Sequence, residues 1–176
     1  MRRHHTEKRR GIGIGTAVGR VALALSLAGA FVAFPAGATP FIDIVDSALT
    51  LAPTPTDYEN DYVEATGAAG IAIKVKNNSS TGLVLMVRSA SATPAIAPGD
   101  LLVRTATPPG TGGTSLIAYT PLTAANLNLW STGVTQGPFV VVDMDVRIRN
   151  LFNYDDVNGS ATTSYVNTLV FTVFEP

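Results

Sequence analysis

Two aspartates two residues apart, Asp143 and Asp145, lie in the apolar run VVVDMDVRIRN (140–150) and have the spacing of a carboxylate pair. In a β-strand, residues two apart share one face at about 6.6 Å, and glycoside hydrolases use carboxylates roughly 5 to 9.5 Å apart. The context opposes catalysis, because Arg147 and Arg149 continue the same flat face and no cleft is indicated. We interpret the row as the solvated face of a strand, with cross-strand ion pairing or an interface as alternatives and hydrolysis as the weakest hypothesis.

A second acidic group lies in the stretch TDYENDYVE, which contains Asp57, Glu59 and Asp61. Carboxylate oxygens in a loop are the ligands that Ca²⁺ prefers, so these three residues are the candidate metal site. The alternative is a solvated acidic loop. The neighbouring Tyr58 and Tyr62 would suit stacking on a sugar, although two tyrosines are a weak signal for a carbohydrate site.

A third stretch, YDDVNGSATTSY, partly matches the calcium-loop pattern D-x-[DN]-x-[DN]-G through Asp156, Asn158 and Gly159. Its first and twelfth positions are Tyr154 and Tyr165, where the pattern requires acids. A turn closed by Asn-Gly is therefore the better interpretation.

The beginning of the chain has the three parts of a secretory signal peptide. A basic segment, MRRHHTEKRR, is followed by an apolar run at 21–34 and by Ala36 and Ala38 at A-x-A spacing. The run is 14 residues long, whereas a membrane-spanning helix needs about 20, which disfavours the alternative of an uncleaved anchor. We predict a signal peptide at 1–38, cleaved after Ala38, and one mature domain at 39–176.

Removal of the signal changes the chemistry that the chain can perform. The mature part has 6 basic and 12 acidic residues, a formal charge of −6, and it contains neither His nor Cys, because His4 and His5 precede the cleavage site. Such a domain is a poor nucleic-acid binder and meets the membrane only through the signal before cleavage. It also lacks Ser-His-Asp and Cys-His systems and the usual zinc and copper ligands. We therefore expect a non-enzyme without disulfides.

The mature sequence is typical of an all-β protein, since short β-branched runs alternate with clusters of Gly, Pro, Asn, Ser and Thr. The predicted fold is an immunoglobulin-like antiparallel β-sandwich of seven or eight strands. Strands are expected at 41–51, at 70–89 as a hairpin, and at 98–105, 114–120, 137–150 and 163–175, with a loop at 52–61. The last strand is apolar at both parities, which is typical of burial on both faces or of contact with another subunit. Half exposure is the alternative.

The order of pieces over about 70–176 resembles bacterial secreted immunoglobulin-like domains of the spore coat protein U and WxL-domain type. Chains of that type often end in a Gly–x–Tyr turn that leads into a Thr-rich strand. That ending is echoed here, with five residues between Gly and Tyr, by Gly159, Tyr165, Thr168, Leu169, Phe171, Thr172 and Val173. Two departures are the absence of a W-x-L tripeptide, because Trp130 is followed by Ser-Thr, and the absence of cysteine. The resemblance implies an extracellular structural protein and carries no catalytic residues across.

These observations together predict a secreted protein, located extracellularly, at the cell surface or in the periplasm, that acts by assembly or adhesion. Its expected partners are further copies of itself or other surface proteins. One version is a fibre subunit completed by a partner's strand. The alternative function is a small extracellular carbohydrate- or calcium-binding module that uses the acidic stretch around Asp57.

Overall fold

The computed structural model describes residues 40–45, 48–77, 80–91, 96–106, 109, 112–135, 137–154 and 165–176, and the backbone alone of residues 23–27. Within these ranges the regular structure is mainly β-strand, with one short helix (Pro55–Asn60) and two 3₁₀ turns. The strands are β1 (Leu23–Leu27), β2 (Phe41–Ile44), β3 (Thr50–Leu51), β4 (Tyr62–Ala65), β5 (Ile71–Lys76), β6 (Leu83–Ser91), β7 (Leu101–Thr105), β8 (Thr114–Ser115), β9 (Thr120–Pro121), β10 (Leu127–Thr132), β11 (Val140–Arg149) and β12 (Val166–Phe174).

The described strands form two six-stranded sheets. The first has the order β3-β1-β12-β6-β10-β8; the second has the order β2-β5-β11-β7-β9, with β4 also paired to β11. Every described pairing is antiparallel except that of β1 with β12. The predicted all-β architecture is therefore confirmed at the level of two mostly antiparallel sheets.

One apolar core lies between the sheets and draws on both. From the first sheet it includes Trp130 and Phe171, and from the second Ile73, Val103 and Val142, all of them at most 1% exposed. Aromatic and branched side chains that alternate along each strand bury one face of a sheet, and this burial is the main favourable contribution to the fold.

Strand β11 organises the second sheet, as its regular alternation predicts. Its even-numbered residues from Val140 to Ile148 are buried. The strand pairs with β7 on one edge. On the other edge it pairs first with β5, through 140–144, and then with β4, through 146–149. The break between these two partners, a 3₁₀ turn at Gly67–Ala69, lies opposite Asp145.

Four local predictions were wrong. Segment 114–120 is not one strand, because β8 belongs to the first sheet and β9 to the second. Segment 41–51 is not one strand, because β2 joins the second sheet and β3 the first. Segment 52–61 is not only loop, since Pro55–Asn60 forms a short helix. Segment 70–89 is not a paired hairpin, because β5 belongs to the second sheet and β6 to the first.

The turn between β5 and β6 carries the chain from one sheet to the other. Gly82 has φ +93, a left-handed conformation that favours glycine, and its carbonyl accepts a hydrogen bond from the Asn77 side chain. A Cβ at Gly82 would overlap the carbonyl oxygen of Thr132. Ser80 and Thr81 lie in a turn, as the polar cluster predicts, but the chain passes here from one sheet to the other. Residues 78 and 79 lie outside the described residues.

The first sheet contains one strand from the segment that the sequence predicts to be a signal peptide. Strand β1 runs parallel to β12, with Ala24 paired to Val166 and Leu27 to Leu169, and antiparallel to β3. The remainder of 1–38 lies outside the described residues. The parallel pairing was not predicted, since the expected sandwich was antiparallel throughout.

Candidate functional site

Asp145 is a buried ion-pair partner and not a solvated strand residue. Its side chain is 2% exposed, and its Oδ2 accepts a hydrogen bond from Arg104 Nε at 2.8 Å. The backbone N–H of Gly67 donates to Oδ1 at 2.8 Å. The interpretation of this face as solvated is therefore wrong at Asp145, and cross-strand ion pairing is the correct alternative. The hydrogen bond to Asp145 raises the pKa of Arg104 above its ordinary value.

This pairing also removes one half of the proposed catalytic pair. Both oxygens of Asp145 are engaged with Arg104 and Gly67, while Asp143 is half-buried and pairs through its backbone with Ala72. Two carboxylates that act on a substrate must both reach it. The arrangement therefore supports a structural role for Asp145.

A layer of aromatic and charged side chains covers the same outer face of the second sheet. The Arg147 guanidinium lies 4.3 Å from the ring centroid of Tyr62 and 4.0 Å from that of Tyr119, and Arg104 lies 4.4 Å from Tyr119. Glu64 accepts hydrogen bonds from Arg147 Nε at 2.8 Å and from the Tyr119 hydroxyl at 3.0 Å. Burial, and then the bond to Glu64, raises the pKa of Tyr119 to about 12.

The charges of this layer satisfy one another. Cation–π contacts and ion pairs of this kind stabilise a surface modestly and fix side-chain positions. The sequence placed Arg147 on this face but gave no sign of Tyr119 or Glu64, because Glu64 reaches it from β4 and Tyr119 from the segment just before β9.

A second polar cluster fixes the turn before β7 to the end of β11. The Tyr154 hydroxyl donates to Asp100 Oδ2 at 2.7 Å and accepts from the backbone N–H of Ala97 at 2.9 Å. Asn150 Nδ2 donates to Asp100 Oδ1 at 2.5 Å. Burial, and then the bond to Asp100, raises the pKa of Tyr154 to about 12. Tyr154 is therefore a structural anchor, and residues 155–164 of the imperfect calcium motif lie outside the described residues.

The predicted calcium residues belong to the short helix and its ends. Asp57 forms a capping box with Thr54, whose N–H and hydroxyl each lie 2.7 Å from Asp57 Oδ2. Asp61 is the left-handed residue that ends the helix, and Glu59 is exposed. Among the described residues, no group of three or more His, Cys, Asp or Glu side chains is placed to hold a metal ion. The calcium site stays a prediction without geometric support.

The two tyrosines of this stretch do not form a common platform for a sugar ring. Tyr62 contacts Arg147, while the ring of Tyr58 packs 5.8 Å from that of Phe152. Carbohydrate binding by this pair is likewise without geometric support.

A different kind of feature is the edge of β12 that faces away from β6, where backbone pairing is incomplete among the described residues. Strand β6 pairs with β12 along 167–174. On the opposite edge, β1 pairs with only its first four residues, Val166 to Leu169. Strand β3, beyond β1, has β1 as its one partner among the described strands. Without residues 23–27, β12 would be the last strand of the first sheet at this end, and β3 would have no partner among the described strands.

Strand β12 itself is apolar on both faces, as its sequence indicated. Leu169 and Phe171 point into the core, and Val170, on the opposite face, is also buried at 7% exposed. The register places Arg88 of β6 beside Val170, where its aliphatic part suits an apolar neighbour. An edge strand of this composition is a strong template for pairing with another strand.

Comparisons with known proteins give no family assignment. No protein-family model matches the chain, and no curated protein matches it. Within the described residues, no helix is long and apolar enough to cross a membrane.

Proposed function

We propose that this chain is a secreted or cell-surface protein with an immunoglobulin-like β-sandwich that acts structurally, by assembly or surface attachment, without catalysis. The observation that carries the proposal is the position of β1. This strand comes from the predicted signal peptide, and it covers one edge of β12.

Cleavage after Ala38 would remove β1 and leave without a partner the backbone N–H and C=O groups that alternate residues of Val166 to Leu169 direct to that edge. Backbone polar groups need partners when they are buried beside apolar side chains, and Leu169 is buried. A strand from another chain would satisfy them by β-augmentation, in which main-chain hydrogen bonds provide affinity and alternate side chains provide specificity.

The charged residues support a structural role. Asp145, Glu64 and Asp100 each bind side chains of their own domain. The mature segment also contains no His or Cys. Aggregation through the second sheet is opposed by its charged outer face, which favours the β12 edge as the contact.

Two measurements test the proposal. Sequencing of the protein recovered from outside the cytoplasm should begin at Thr39 if the signal is cleaved as predicted. Size-exclusion chromatography with light scattering on residues 39–176 should show oligomers whose mass grows with concentration. A folded monomer at high concentration, with no attachment to the cell surface, would contradict assembly.

A further inference from the structure

We infer that strand β1 is an internal cover for the β12 edge, which blocks strand addition while it remains in the chain. The same geometry specifies the partner strand as one that runs parallel to β12 with large aliphatic and small residues in alternation. This inference rests on the proposed function, because it concerns the same edge.

The position of β1 makes it a cover. It lies between β3 and β12 and pairs with both. Because β12 pairs with β6 on one side and with β1 on the other, it has no free edge along residues 167–169. While β1 is present, no other strand can pair with Val166 to Leu169 on that side.

The sequence of β1 indicates which pattern of side chains suits a strand that pairs with this edge of β12. From Val21 to Leu27, large residues at odd positions alternate with Ala or Ser at even positions. The register sets Leu25 level with Asn167 and Leu27 level with Leu169, and the side chains of Asn167 and Leu169 are buried. Large residues in β1 thus occupy the positions level with buried residues of β12.

Strand β1 covers only the N-terminal part of this edge of β12. Among the described residues, β1 pairs with 166–169 but not with 170–174 of β12. An incoming strand could therefore contact the C-terminal half of β12 while β1 is in place, but it could pair with Val166 to Leu169 only after β1 has left.

The test uses the full chain of residues 1–176, made by cell-free synthesis so that no signal peptidase acts. A specific protease site is placed in the segment 28–39, and the folded chain is compared before and after cutting. Amide hydrogen exchange at those residues of Val166 to Leu169 whose N–H groups face β1 reports the cover directly, and light scattering reports assembly.

Two matched proline variants separate the effect of losing the β1 pairing from the effect of cutting the chain. Ala24→Pro with Leu25→Pro removes two successive N–H groups, which point to opposite edges of β1. Thr16→Pro with Ala17→Pro introduces the same residues before the strand. We expect the first variant to increase exchange at 166–169 by about tenfold or more and to promote assembly, and the second to resemble the unaltered chain.

The outcomes distinguish this inference from the proposed function. Exchange at 166–169 that is the same in the unaltered chain and the Ala24→Pro, Leu25→Pro variant would overturn the cover. Assembly of the unaltered chain with β1 still protected would also overturn it, while leaving assembly itself intact. Loss of protection without any assembly would uphold the cover and refute assembly through this edge.

Discussion

Arg104 Nε and Asp145 Oδ2 lie 2.8 Å apart across two neighbouring strands, and the two side chains differ sharply in exposure, at 36% and 2%. The carboxylate is therefore in a nearly dry environment while its cation reaches water. The gap between β4 and β5 creates this environment, because the Gly67 N–H at the turn is directed to Asp145.

Removal of Arg104 should leave a buried carboxylate without its cation. We expect Arg104→Ala to lower the free energy of unfolding by about 2 kcal/mol, less than the roughly 3 to 5 kcal/mol of a fully buried pair because Arg104 is partly exposed. The measurement is urea unfolding followed by the emission of Trp130, the one tryptophan. Lys74→Ala, at a basic residue of β5 in the same sheet without an ion pair among the described residues, is the control and should change stability by less than about 0.5 kcal/mol. Equal losses in both variants would contradict the role of Asp145.

Gly82 should tolerate no side chain, for two reasons that a control separates. Gly82 and Gly112 both have positive φ, +93 and +82, but only at Gly82 would a Cβ collide with a backbone carbonyl. We expect Gly112→Ala to cost about 1 kcal/mol from conformational strain. Gly82→Ala should cost more than about 3 kcal/mol or prevent folding. Thermal unfolding of the two variants measures the difference, and similar midpoints would show that the turn can shift.

Stability should fall at alkaline pH because of Tyr154. Its pKa is raised from 10 to about 12 in the folded protein, so the folded state keeps the phenolic proton between these values while the unfolded state loses it. The stabilisation is complete below pH 10 and is lost as the pH rises towards 12. We expect a loss of about 1 kcal/mol at pH 11 relative to pH 8.

Tyr154→Phe is the variant that assigns this pH dependence. It removes the bonds to Asp100 and Ala97 and should cost about 1 to 2 kcal/mol at pH 8. Its stability should then change less between pH 8 and pH 11 than that of the unaltered protein. If the stability of the two proteins depends on pH in the same way, Tyr154 does not cause the alkaline loss of stability. Tyr119 is then the next residue to substitute.

Calcium should have little effect on stability. Asp57 is used by the helix cap, and the described residues offer no cluster of three acidic ligands. We expect the thermal midpoint to be unchanged in millimolar Ca²⁺, with Mg²⁺ as the matched control. A rise specific to Ca²⁺ that Asp57→Asn abolishes would restore the calcium-binding hypothesis.

The sequence predicted the parts of this fold that depend on local periodicity. Strand β11 follows from strict alternation between Val140 and Arg149. The helix at Pro55–Asn60 was missed, although Thr54, Pro55 and Asp57 carry the signals of an N-terminal cap. The loop prediction rests on Pro53 and Pro55, which exclude a central strand but not a short helix.

Burial of Asp145 could not be predicted in the same way. Its partners Arg104 and Gly67 are 41 and 78 positions away in the chain, so only the pairing of distant strands brings them together. The alternation of β11 predicts that Asp145 lies on the outer face of the sheet, but it does not predict that Arg104 and the turn at Gly67 cover this side chain. The same reason explains the failed hairpin, since the turn at 77–82 is local whereas the choice of sheet for β6 is not.

The parallel pairing of Ala24 with Val166 joins residues near opposite ends of the described chain. During synthesis, the segment at 23–27 is made long before its partner at 166–169. Contacts of such long sequence separation form late in folding. In an exported chain, the moment of cutting relative to completion of β12 would therefore decide which strand reaches this edge first, so that kinetics as well as affinity would select its partner.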